Sequence, residues 1–150
     1  MYALNVLALN PDPGDIVKPE YVLDGRRTIT LTAFYAEVSQ VLLSGQPWGE
    51  NLDALHAVLR GDYGFLPETF RLVWRDAKVA QAALGYPETV HQLKQRLRDC
   101  HPTILIKTAW ALRAALQEQG PTVYDWLVEL IGEHPNVELV LIESDEPSHA

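Results

Sequence analysis

The sequence contains a single cysteine and no apolar run long enough to cross a bilayer. Cys100 therefore cannot form an internal disulfide, which excludes a disulfide-stapled scaffold. The apolar run at residues 3–9 has no basic residue before it and no small-residue cleavage pattern after it, so it lacks the features of a signal peptide. We expect a reducing, cytoplasmic location.

Common motifs of catalytic sites and metal sites are also missing. There is no Gly-rich phosphate loop and no Gly-x-Ser-x-Gly elbow, and the candidate metal ligands at 91 and 99–101 lack a paired-ligand spacing. Cys100 and His101 suggest a nucleophile, but adjacent residues seldom place sulfur and imidazole in line. We predict a protein that is not an enzyme and uses no metal or cofactor, with a small enzyme built on Cys100 and His101 as a rival hypothesis.

Positive charge is scarce, since 12 Lys and Arg face 20 Asp and Glu for a formal net charge of −8. A field of this sign disfavours nucleic acids and anionic membranes as partners and favours a cationic one. Acidity also serves solubility alone, so charge does not by itself identify a binding protein. The 150 residues, 47% of them apolar, are enough for one domain with a genuine core.

The apolar periodicity predicts short strands separated by helices. Strands are expected at 21–23, 71–75 and 137–142, and helices at 32–43, 51–60, 76–84, 88–99, 103–117 and 122–131. Strands that alternate with helices favour a parallel sheet with right-handed crossovers. The sequence therefore predicts a small α/β fold.

Apolar spacing within the helices predicts which side chains face the core. In the helix at 103–117 these are Ile106, Trp110 and Ala114, and Trp74 and Trp126 are also expected to be core residues. On the helix at 122–131, apolar residues occupy one face and leave three acids four residues apart on the other: Asp125, Glu129 and Glu133. Spacing alone predicts a solvated helix face there.

The most informative stretch is residues 48–55, Trp-Gly-Glu-Asn-Leu-Asp-Ala-Leu, which a glycine follows at position 61. Gly49 gives the backbone freedom, Asn51 is a good N-cap, and four apolar residues recur on one face: Leu52, Leu55, Val58 and Leu59. We predict a turn that leads into a short, anchored helix with Asp53 outward. An acid so near a helix start is also favoured by the helix dipole alone, without any partner.

This run resembles the signature of the barstar-like family, the intracellular inhibitors of secreted microbial guanyl-specific ribonucleases. Residues 21–25, 70–75 and 122–141 are similar to the family's opening strand, second strand, and last helix and strand. The resemblance implies a three-stranded parallel β-sheet packed with helices in a single domain. Residues 1–19 would then be an N-terminal extension, 76–120 a helical insertion and 143–150 an acidic flexible tail.

The resemblance also implies a partner-binding surface. Asp53 matches an acid used at the family's interface, and Gly61 matches the glycine that ends the binding helix. Glu129 and Glu133 match acids on the last helix that border the interface. The residues implied for the binding loop are Trp48, Gly49, Glu50 and Asn51.

One departure from the family pattern concerns the centre of that surface. Four residues after Asp53 the family has its central acid, and this chain has Ala57. His56 and Asp62 replace aromatic residues, and Arg60 shares the outer side with Asp53. The acidic function has therefore moved to Asp62, or the target differs.

We predict a non-catalytic bacterial protein that binds a basic ribonuclease one-to-one and covers its active site, as the intracellular antidote to a toxin of the same cell. It would contact neither nucleic acid nor membrane directly. The alternative is an immunity or regulatory protein that binds a different cationic protein toxin and does not inhibit a ribonuclease.

Overall fold

Three parallel strands form the centre of the fold: β1 (Glu20–Asp24), β2 (Phe70–Arg75) and β3 (Val137–Ile142). They pair in the order β1-β2-β3, with Glu20 opposite Arg71 and Phe70 opposite Val137. The computed structural model describes residues 18–64 and 66–143. The predicted small parallel α/β sheet is confirmed.

Six α-helices and one 3₁₀-helix connect the strands within the described residues. They are α1 (Leu31–Leu42), α2 (Leu52–Arg60), α3 (Ala77–Ala83), α4 (Tyr86–Asp99), the 3₁₀-helix (Pro102–Ile104), α5 (Leu105–Leu116) and α6 (Val123–Gly132). The predicted helices are confirmed with bounds that differ by at most two residues. Parallel strands require such crossovers, because a tight hairpin can join only antiparallel neighbours.

Parts of the predicted domain organisation fall outside the residues that the structure describes. Residues 1–17 of the predicted extension and 144–150 of the predicted acidic tail lie outside the described residues. Helices α3, α4 and α5 occupy the segment at 76–120. Its assignment as an insertion stays a prediction.

Trp74 on the central strand is the largest fully buried side chain, as predicted from its apolar surroundings. Its ring centroid lies 5.4 Å from that of Phe34 on α1 and 5.3 Å from that of Tyr124 on α6. The indole Nε1 donates a hydrogen bond of 3.1 Å to the Thr28 hydroxyl, so its buried N–H is satisfied. One side chain thus packs α1 and α6 against the same face of the sheet.

The prediction that α5 buries Ile106 and Trp110 is wrong. These side chains are 70% and 62% exposed, and Ala114 is half-buried. α5 packs on α4, and its buried residues are Thr108 and Ala115. At about 100° per residue, these two lie close to half a turn around the helix from Ile106 and Trp110. The small side chains therefore face the fold, and the large apolar ones face outward.

Trp126 is half-buried and not a full core residue. It packs against the core from the side of α6 that faces α4. The Arg96 guanidinium lies 5.5 Å above its ring centroid, which is a cation–π distance. The indole therefore joins the core to a charged surface.

Replacing Trp74 with Phe tests its role in the core. We expect Trp74→Phe to lower the free energy of unfolding by about 2 kcal/mol, because packing volume and the hydrogen bond to Thr28 are both lost. Urea denaturation followed by circular dichroism measures the change. The matched control is Trp110→Phe at an exposed position, which should shift stability by less than about 0.5 kcal/mol. Equal effects of the two substitutions would contradict the packing described here.

Candidate functional site

Side chains and backbone fix helix α2 at both of its ends. The Asn51 Oδ1 atom accepts a 2.7 Å hydrogen bond from the Ala54 N–H, which caps the first turn. Gly61 ends the helix in the left-handed region at φ 90°, where glycine is favoured, and the Asp62 N–H bonds to the Ala57 carbonyl at 3.0 Å. Both predicted cap positions are confirmed. The helix start therefore has a defined position before any partner binds.

The inner face of α2 belongs to the core. Its buried residues are Leu55, Val58 and Leu59, and α2 packs on α6. At its C-terminal end, the Asn136 Nδ2 atom donates a 3.0 Å hydrogen bond to the Leu59 carbonyl. Asp53, on the opposite face, is exposed. One face of α2 therefore packs in the core, and the opposite face is exposed to solvent.

Trp48 holds the loop before α2 against α1. Its Nε1 donates a 2.7 Å hydrogen bond to the Ser39 hydroxyl, and its ring meets Tyr35 edge to face at 5.5 Å. Glu50 adopts a positive φ of 53°, and a Cβ on Gly49 would lie 2.8 Å from the Ala54 Cβ. The structure therefore places Trp48 as an anchor of the loop, while Gly49 and Glu50 are exposed.

The predicted acids occupy two neighbouring elements. Asp62 is exposed and pairs with Arg60, with 2.9 Å between the Oδ2 and Nη2 atoms. Glu129 is exposed on α6, and Glu133 is the C-cap of that helix. Ala57 is half-buried on α2.

His56 connects α2 with the end of α6. Its Nδ1 lies 2.9 Å from the His134 Nε2, and its Nε2 lies 3.9 Å from the Glu133 Oε1. Burial is the main cause that lowers the pKa of His134, and the nearby His56 and Arg60 lower it further while Glu133 opposes them. The hydrogen bond needs one ring nitrogen to donate and the other to accept. Protonation of both rings would therefore break it.

A groove of about 830 Å³ separates the start of α2 from the C-terminal half of α4. Asp53 and His56 line its α2 wall, and Arg96 and Asp99 line its α4 wall. Ile104, just before α5, also lines it. Sequence reasoning missed this groove and the histidine pair, because His56 and His134 are 78 positions apart and no spacing pattern connects them.

The two residues of the rival nucleophile hypothesis engage other groups. The Cys100 Sγ atom donates to the Leu97 carbonyl at 3.8 Å. The His101 Nδ1 atom accepts from the Thr103 N–H at 3.2 Å and so caps the 3₁₀-helix.

The structure describes residues 18–64 and 66–143. Within them, no group of three or more His, Cys, Asp or Glu side chains is placed to hold a metal ion. No helix in this described part of the chain has the length and apolar character needed to cross a membrane.

The chain matches a known protein family. The model of a family described as Barstar (barnase inhibitor) matches residues 19–103, which is more than half of the chain. The matched range includes β1, α1, the loop, α2 and β2, and it continues through α4. No curated protein matches the chain.

The histidine pair predicts a pH-dependent stability. Because the pKa of His134 is lower in the folded protein than its ordinary value of 6.5, the unfolded chain takes up more protons as the pH falls. We expect the free energy of unfolding to be highest above pH 6.5. It should decline as the pH falls from there to the lowered pKa of His134. Urea titrations between about pH 7.5 and 5 measure the slope.

The matched control for this pH dependence is another histidine of the chain. His134→Gln should flatten the slope, and His91→Gln, at an exposed position on α4, should leave it unchanged. The same steep slope in both variants would show that other groups cause the acid sensitivity.

Proposed function

Because the chain belongs to the barstar family, whose members are ribonuclease inhibitors and not enzymes, we propose that it binds a basic microbial ribonuclease one-to-one and covers its active site. The covering surface is helix α2 with the loop before it. In the cell the protein acts as the intracellular antidote to a toxin that the same bacterium makes.

The observation that carries this proposal is the placement of Asp53. Its carboxylate is exposed and makes no ion pair within the part of the chain that the structure describes. It projects from a helix whose start is capped by Asn51 and whose inner face is buried. A carboxylate held this way loses little conformational freedom when a partner binds, so more of the interaction energy remains for affinity.

The chemistry of the target explains why a carboxylate suits this position. A ribonuclease gathers Arg, Lys and His side chains where the RNA phosphates bind. A carboxylate can replace a phosphate there, since it accepts two parallel hydrogen bonds from a guanidinium group. The net charge of −8 adds long-range attraction to a basic enzyme and speeds their encounter at low salt. Glu129 and Glu133 on α6 border the same surface in this proposal.

Asp62 serves as a second acid in this proposal, in part replacement of the one missing at Ala57. Asp62 pairs with Arg60, and the two side chains are 52% and 55% exposed, respectively. An ion pair in water contributes little to stability, so it is easily exchanged. An arginine of the ribonuclease can therefore displace Arg60 and take over Asp62. Trp48, Gly49 and Glu50 shape the loop beside them.

Calorimetric titration against a catalytically inactive guanyl-specific ribonuclease tests the proposal. We expect one-to-one binding that weakens as salt rises, and a loss of at least about tenfold in affinity for Asp53→Asn. The matched control is Glu143→Gln. This variant removes the same charge, but at a position just after β3. The end of β3 near α2 is the other one, where Asn136 contacts the Leu59 carbonyl. Equal losses in the two variants, or no binding by the unchanged protein, would contradict the proposal.

The second candidate function is immunity against a different cationic protein toxin, without ribonuclease inhibition. The observation that favours it is the surface next to Asp53, where Ala57 has no charge and the exposed Arg60 adds a positive one. The phosphate-binding cleft of a ribonuclease would place its cations against Arg60, whereas a cationic toxin whose positive charges lie elsewhere would not.

Ala57→Asp distinguishes the two candidates. If the target is a guanyl-specific ribonuclease, the added acid should tighten binding by about tenfold, since it places a carboxylate in the phosphate site. Ala57→Asn is the control of similar size without the charge. If the Asp and Asn variants inhibit the ribonuclease equally poorly, the second candidate gains support. Inhibition is read from the initial rate of RNA cleavage against inhibitor concentration.

A further inference from the structure

Large exposed apolar side chains are concentrated on and just before α5. Of nine such residues in the described chain, five lie in this segment: Ile104, Leu105, Ile106, Trp110 and Leu116. Scattered exposed apolar residues are normal, but a contiguous set on one element marks a binding surface. The first three are consecutive and occupy the tip of the hairpin that α4 and α5 form. We call these three residues the hairpin tip.

The fold does not need the outer face of the tip. α5 packs on α4, where Thr108 and Ala115 are buried, and the Thr108 hydroxyl donates a 2.8 Å hydrogen bond to the Ile104 carbonyl. Ile106 lies on the side of α5 away from this contact. Within the described residues, the packing of α5 on α4 therefore does not account for an apolar side chain at position 106.

The tip adjoins the surface proposed for ribonuclease binding. Ile104 lines the groove whose other wall carries Asp53 and His56. From Ile104 the tip continues through Leu105 to Ile106 on the outer face. A partner that covers Asp53 and fills the groove therefore reaches the tip without a gap.

A stable protein interface is larger than the surface of α2. Helix α2 has nine residues and is therefore about 14 Å long. A standard interface covers about 800 Å² on each partner, which corresponds to a patch about 30 Å across. A partner centred on α2 must extend to neighbouring elements, and the groove leads to the hairpin.

Charge indicates what kind of contact the tip makes. Residues 86–116 hold five Lys and Arg against two Asp and Glu, a formal charge of +3 within a chain of −8. A segment of this sign repels a basic enzyme at long range, so charge does not favour the contact. Its contribution must come from apolar burial, at about 25 cal/mol per Å². Such a contribution also offsets the missing acid at Ala57.

We propose that the hairpin tip is a second contact surface for the same partner. An apolar patch at the rim of the ribonuclease's cationic cleft packs on Ile104, Leu105 and Ile106 while α2 occupies the cleft. This inference rests on the proposed function.

Calorimetry with the inactive ribonuclease at low and moderate salt tests the tip. The double variant Leu105→Ser with Ile106→Ser should weaken binding by about tenfold at both salt concentrations, because the lost contact is apolar. The loss in Asp53→Asn should instead shrink as salt rises. Ile106→Ser alone, at a position 70% exposed, provides a variant whose folding is not at risk.

The matched control is Leu116→Ser. Leu116 is exposed on the same helix, but 11 residues further on, which places it about 16 Å from the tip. This variant should bind as the unchanged protein does, so a general loss of surface hydrophobicity is excluded as a cause.

Three results would overturn the inference. If the unchanged protein binds the ribonuclease and the tip variants bind equally well, the tip is not part of the interface, and the proposed function stands. If sedimentation shows a dimer of this chain that the tip variants dissociate, the surface belongs to a second copy. If the unchanged protein binds no ribonuclease at any salt, the proposed function fails and this inference fails with it.

Discussion

The parallel pairing of β2 with both of its neighbours is the constraint on which the rest of the structure depends. Parallel neighbours cannot be joined by tight turns, so each connection must cross the sheet and carry helices. The sheet order follows the chain order, and right-handed crossovers in such a sheet all pass over one face. The contacts of Trp74 with Phe34 and Tyr124 agree, since they place α1 and α6 on that face. Helix α2 belongs to the first crossover, and the hairpin of α4 and α5 belongs to the second. The start of α2 and the hairpin of α4 and α5 therefore line the same groove.

Those parts of the fold and site that local chemistry determines could be predicted from the sequence. The Asn51 cap and the Gly61 terminus each depend on residues within one turn, so the predicted bounds of α2 are correct to within one residue. The short apolar run within residues 71–75 indicated a buried strand in the same way. The family match agrees with the resemblance that the run at 48–55 carries.

What escaped prediction depends on distant neighbours. Apolar periodicity shows that α5 has an apolar face but not which of its faces another helix covers. In this helix the small residues Thr108 and Ala115 pack on α4, because a close approach of two helices favours small side chains at the contact. The contact of His56 with His134 depends on how α6 ends beside α2. The groove likewise exists only because α4 passes the start of α2 at a distance. Each of these follows from the assembly of elements and not from any one of them.

The two-faced construction of α2 has a consequence for how such proteins diversify. The residues that cap and bury the helix are separate from the residues that it presents to solvent, so substitutions on the outer face leave folding almost untouched. Asp53 and Arg60 are exposed on that side, and Ala57 is half-buried beside them. Substitutions on that face can therefore change what the helix presents to a partner without removing the residues that hold it in the fold. New binding surfaces can evolve on this scaffold without rebuilding it.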